Sequence, residues 1–138
     1  MANSWLFKTE PSTYSFDDLR KERKTTWDGV KNPQALRNLA GVGAGDRVLV
    51  YHTGNEKAVV GVARALGPAR PDPRKNDPKL LVVDIEAVAT LRRPVTLARI
   101  KADARFRGFD LVRLPRLSVM PVSAAQWQAI ESLSKEED

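Results

Sequence analysis

The sequence predicts an α+β fold, a small, partly closed barrel of mixed β structure with about five or six strands and short flanking helices. Three observations lead there. Runs rich in β-branched and aromatic residues, above all 47–52 and 59–66, alternate with turn residues. Short helical segments stand near the start, middle and end of the chain, each behind a capping residue. The stretch 47–89 holds no crossover helix, which a parallel βαβ fold would need.

Taken in order, 5–8 (Trp-Leu-Phe-Lys) reads as a first strand, broken by Glu10-Pro11. Ser15 caps a short helix through Phe16, Leu19 and Lys21, with Asp17 and Asp18 favourably placed in its first turn. Residues 21–24 form a charged loop and 25–27 a brief extended piece. Asn32 caps a helix over 33–39, Pro33 suits its first position, and Gly41 and Gly43 end it. The strand 47–52 is followed by a turn at 53–56 and a strand at 59–66, in which Gly61 marks a bulge or bend. Four prolines make 68–78 an exposed loop. A third long strand covers 80–89. Thr96 caps a helix over 97–102, 105–110 is loop, and 117–122 is a closing strand stopped by Pro121. Ser123 and Gln126 form a capping box for a last helix that carries Trp127, Ile130 and Leu133 at helical spacing. Trp5 and Trp127 are expected in the core. The chain reads as one domain over 1–134 with a frayed tail at 135–138.

Composition narrows the function classes. There is no cysteine, so no disulfide, thiolate metal site or thiol nucleophile, and a single histidine, His52, so no multi-histidine metal centre. No signal peptide and no membrane-length apolar run is present, and a soluble, intracellular (cytoplasmic) protein is expected. The net charge is +6 with a pI near 9.9. Residues 92–116 contain eight basic and two acidic side chains, so this segment alone accounts for the whole excess. Polyanions attract such a surface, and nucleic acid is the commonest of them.

The stretch most suggestive of a site is Trp27-Asp28-Gly29-Val30-Lys31-Asn32. It supplies a flat ring, a carboxylate, a close backbone approach at glycine and a helix N-terminus, parts of a pocket for something planar and polar. It does not stand alone. Trp5-Leu6-Phe7-Lys8-Thr9-Glu10-Pro11, Tyr14-Ser15-Phe16-Asp17-Asp18-Leu19, Tyr51-His52, Arg93-Pro94-Val95-Thr96-Leu97 and Leu117-Ser118-Val119-Met120-Pro121-Val122 accompany it in order. Together these motifs resemble the EVE domain, a member of the PUA-like superfamily related to YTH-type modified-base readers. The resemblance covers nearly the whole chain. It implies a PUA-like pseudobarrel with a central pocket, and binding of nucleic acid that carries a modified base, modified cytosine in DNA (5-methyl- or 5-hydroxymethylcytosine) leading.

A flipped base needs a stacking face, partners for its polar edge and an escort for its phosphates. Trp27 is the candidate face. Lys8, Thr9 and Glu10, at the open end of the first strand, together with Asp28, Gly29, Val30 and Asn32, are candidates for the polar edge and walls. Tyr51 and His52 end the long strand, and Ser118, Met120 and Pro121 lie on the closing one; all five are further candidates for the pocket. Lys31, Arg37, Arg105, Arg107, Arg113 and Arg116 are the candidate phosphate contacts. No catalytic residue, metal or cofactor is expected, and the protein is expected to act as a monomer. A PUA-like module recognising modified or structured RNA is the alternative reading, and a small nucleotide-acting enzyme a third.

Overall fold

The computed structural model describes residues 3–136. Its strands are β1 (Ser4–Thr9), β2 (Lys24–Trp27), β3 (Arg47–His52), β4 (Ala58–Ala65), β5 (Arg70–Pro71), β6 (Leu81–Thr96) and β7 (Val119–Pro121). Its α-helices are α1 (Phe16–Glu22), α2 (Pro33–Leu39), α3 (Leu97–Lys101), α4 (Asp110–Arg113) and α5 (Ala124–Lys135), with a turn of 3₁₀ helix at Ala104–Phe106. The architecture is the expected α+β, with seven strands in place of five or six. The sheet runs β2-β6-β4-β3-β1-β7, and β5 is added to β6. The β1–β3 pair is parallel and every other pair is antiparallel.

Helix starts follow from local chemistry. Ser15 and Ser123 form complete capping boxes with Asp18 and Gln126, while Asn32 and Thr96 each accept from a backbone N–H in the first turn of their helices. Long-range features depart from the expectation. The third long strand runs through Pro94 to Thr96, and 105–110 is not simple loop, because the 3₁₀ turn buries Phe106 and α4 begins at Asp110. The charged loop at 21–24 is the last turn of α1 followed directly by β2.

One apolar cluster holds these pieces together. Leu6, Phe7, Leu49, Ile85, Ile100, Met120 and Ile130 are fully buried within it. Trp5 and Trp127 lie in it as expected, and the Trp5 indole N–H donates to Asp46 Oδ2 at 2.9 Å. At Gly61 the β3–β4 and β4–β6 registers slip, and the ring of Phe16 occupies the space a side chain would need. Of the expected tail, Lys135 closes α5 and Glu136 accepts from Arg99; residues 1, 2, 137 and 138 lie outside the described ones. Among the described residues no helix is long and apolar enough to cross a membrane.

Candidate nucleic-acid interface

The ends of β1 and β2 and the turn between β1 and α1 converge on a half-open cavity of about 590 Å³. From β1 and the turn after it come Lys8, Thr9, Thr13 and Tyr14; from β2 and its exit come Thr25, Thr26, Trp27, Asp28 and Gly29; Arg74 enters from the 68–78 loop. Trp27 is 7% exposed, so only one part of the ring meets the cavity. Phe7 packs on it at a ring separation of 5.6 Å, and Tyr14 meets it edge-on at 6.2 Å. Gly29 has φ +77°, the left-handed backbone that glycine adopts without a steric cost, and it turns the chain away from the cavity toward Asn32 and α2.

The polar groups of the wall are mostly committed. Thr9 Oγ1 donates to the Tyr14 carbonyl at 2.7 Å and Thr26 Oγ1 to Asp84 Oδ1 at 2.7 Å. The Tyr14 hydroxyl donates to Glu22. Burial, with that bond second, pushes the Tyr14 phenol up to about 12. Lys8 is half-buried, and desolvation holds its ammonium below the ordinary lysine value. Its Nζ donates to the Pro115 carbonyl at 2.9 Å and lies 5.6 Å from the Tyr51 ring centroid. Arg74 pairs with both Asp28 and Asp72.

Of the sequence candidates, Lys8, Thr9, Trp27, Asp28 and Gly29 meet in this cavity and the others lie elsewhere. Glu10 accepts from the Ser12 N–H and hydroxyl and from Thr53, outside the cavity. Val30 is buried and lines a smaller neighbouring cavity of about 310 Å³ with Lys31. Asn32 caps α2 through the Ala35 N–H. Tyr51 is buried beneath Lys8. His52 is held at both ring nitrogens: Nε2 accepts from the Phe16 N–H at 3.0 Å, so Nδ1 carries the proton and donates to Glu56 at 2.6 Å. Ser118 gives its carbonyl to the Lys8 N–H, Met120 is fully buried opposite Leu6, and Pro121 is on the outer edge strand.

Among the candidate phosphate contacts, Arg105 is clasped by Asp103 and Arg113 by Asp110. Arg37 donates to Gln34, while Lys31, Arg107 and Arg116 are exposed. The sequence reading missed Thr13, Tyr14, Thr25, Thr26 and Arg74. Period-two alternation puts Thr25 on the same face as Trp27 and so carried a signal for that threonine. The only local hint for Arg74 is Asp72, whose side chain accepts from the Arg74 N–H two residues on, a turn-forming habit of aspartate.

Comparison with known proteins completes the identification. The family model of the EVE domain matches residues 3–133. Thymocyte nuclear protein 1 of Mus musculus is 27% identical, over 99% of this chain and 76% of its own length. A protein from Rhodopseudomonas palustris whose structure was solved by NMR is 36% identical with a TM-score of 0.91, covering 99% of this chain and 97% of that one. The crystal structure of the human THYN1 protein in complex with 5-methylcytosine containing DNA is 25% identical with a TM-score of 0.91, covering 99% and 100%. A strand order built around one parallel pair, a cavity behind Trp27 and the match along nearly its whole length agree: this chain belongs to the EVE domain family.

Proposed function

We propose that the protein reads a modified base in nucleic acid, a modified cytosine in DNA, by taking the flipped-out base into the cavity beside Trp27. The observation that carries this reading is the cavity itself. About 590 Å³ falls within the roughly 300–1,000 Å³ typical of small-ligand sites. Its wall combines an aromatic ring, four threonines, one carboxylate, one ammonium and one guanidinium. The human relative solved with 5-methylcytosine containing DNA supports the same ligand class. Exposed Lys31, Arg107 and Arg116 supply affinity for the phosphates, which makes binding salt-dependent. On this reading the protein acts by binding; its one histidine is held at both ring nitrogens by Phe16 and Glu56, away from the cavity.

The test is a tryptophan-fluorescence titration at fixed salt with matched DNA and RNA oligonucleotides, with and without modified cytosine or adenine. Tighter binding of modified DNA by about tenfold, about 1.4 kcal/mol, is the expected result. Trp27→Ala should abolish that preference and leave weak, salt-dependent binding, because base stacking is worth about 1–3 kcal/mol. Preference that survives in a folded Trp27→Ala protein removes Trp27 from the role. Equal binding across the panel leaves a charge-driven module and favours recognition of RNA shape.

A further inference from the structure

We propose that Arg74 is a positioning residue that makes the cavity select an amino-bearing pyrimidine over its keto counterpart. It does so by holding the Asp28 carboxylate so that the second oxygen accepts from the base's exocyclic amine. This rests on the reading that the cavity takes a flipped-out base.

Arg74 reaches the cavity already anchored. Asp72, 5% exposed, accepts from the Arg74 backbone N–H at 2.9 Å, from Nε at 3.1 Å and from Nη2 at 3.2 Å. Asp72 is itself fixed, its N–H donating to the Leu80 carbonyl at 2.8 Å. The guanidinium therefore does not depend on Asp28 for its place, and its Nη2 donates onward to Asp28 Oδ2. Among the described residues Asp28 Oδ1 accepts no hydrogen bond. Asp28, Gly29 and Arg74 line both the large cavity and its smaller neighbour, so together they form the partition between the two.

The remaining chemistry of the wall sharpens the choice. The hydroxyl protons of Thr9, Thr26 and Tyr14 are donated to protein partners. Lys8 uses one of its three N–H groups on Pro115. Among the charged groups of the wall, Asp28 thus offers an acceptor and Lys8 a donor, with Nη1 of Arg74 a further donor beside Asp28. Cytosine matches this pair with its 4-amino group and its ring carbonyl. Thymine, which shares the ring and the 5-methyl group of 5-methylcytosine, sets a second carbonyl against the carboxylate and leaves both acceptors unpaired.

The experiment compares single-stranded DNA oligonucleotides that carry cytosine, 5-methylcytosine or thymine at one position. The proteins are the unaltered chain, Arg74→Ala, Arg74→Lys and Asp28→Asn, each checked for folding by circular dichroism. The unaltered chain should bind the 5-methylcytosine strand about tenfold tighter than the thymine strand. Arg74→Ala should lose most of that ratio yet keep the preference for 5-methylcytosine over cytosine, and Arg74→Lys should restore part of it. Asp28→Asn should lose the ratio as well, and it decides the matter if Arg74→Ala does not fold. An Arg74→Ala ratio unchanged from the unaltered chain overturns the role of Arg74. So does an unaltered chain that distinguishes 5-methylcytosine from cytosine but not from thymine, and base reading then still stands. Equal binding of all three strands by the unaltered chain overturns base reading itself.

Discussion

A methyl group added at Gly61 would lie 2.4 Å from two ring carbons of Phe16. That ring is 2% exposed and sits in the first turn of α1, whose backbone N–H is bound to His52, so it has little room to retreat. Gly61→Ala should therefore cost about 1–3 kcal/mol, read as a lower urea midpoint, and should loosen α1 beside the cavity. Tyr14 offers a second test at this scale. Its phenol titrates at about 12 in the folded protein against an ordinary 10, so the fold favours the neutral form. The stability this contributes is complete below pH 10 and is lost as pH rises toward 12. A phenolate absorbance titration of Tyr51→Phe, which leaves Tyr14 as the only tyrosine, should show its midpoint near 12; one near 10 would contradict the burial and the Glu22 bond.

At the scale of elements, the expected loop at 68–78 contains β5, and the turn that follows β5 is tied together by Asp72. Asp72 ties Arg74 by side chain and backbone, accepts the Lys75 N–H through its carbonyl and reaches Leu80 through its own N–H. Asp72→Ala should speed amide exchange across 72–75 about tenfold or more while β3 and β4 keep their protection, as local opening below the global free energy requires. The same loop shows what the sequence could and could not reveal. Helix starts at Ser15, Asn32, Thr96 and Ser123 were legible because a cap and its N–H partner lie within a few residues. The true length of β6 was not, since Pro94 reads as a breaker. The partners of β4 jump from Val95 to Thr90, so Pro94 faces no ladder position and its missing N–H is not needed. Helix α4, four residues long, is too short to show a period. In the cavity, Trp27, Asp28 and Gly29 were legible as one local motif. Arg74 was not, because its meeting with Asp28 is made by the chain returning through β5 and β6.

For the whole molecule, charge is the property a distant polyanion meets first, and it is less uniform than the composition suggests. Asp103, held down to about 2 chiefly by its bonds from Arg105, cancels that arginine, and Asp110 does the same for Arg113. Arg107 and Arg116 are exposed and form no ion pair among the described residues. Arg107→Glu with Arg116→Glu should therefore weaken binding to modified and unmodified strands alike, lowering the salt slope by about one unit per lost phosphate contact. The pair Arg105→Glu and Arg113→Glu should do less. A loss confined to the modified strand would place Arg107 and Arg116 at the base and not at the backbone.

The position of β1 between a parallel neighbour, β3, and an antiparallel one, β7, has a bearing on biosynthesis. As the chain leaves the ribosome, Leu6 and Phe7 gain one flank once Arg47–His52 has been made, but the other waits for Val119–Pro121. Such distant pairing makes for slow assembly. Throughout that interval the nascent protein carries a raw sheet edge at β1, with Trp5, Leu6 and Phe7 on it, so a polypeptide stalled or truncated before Val119 is the species a chaperone must shield from its own copies.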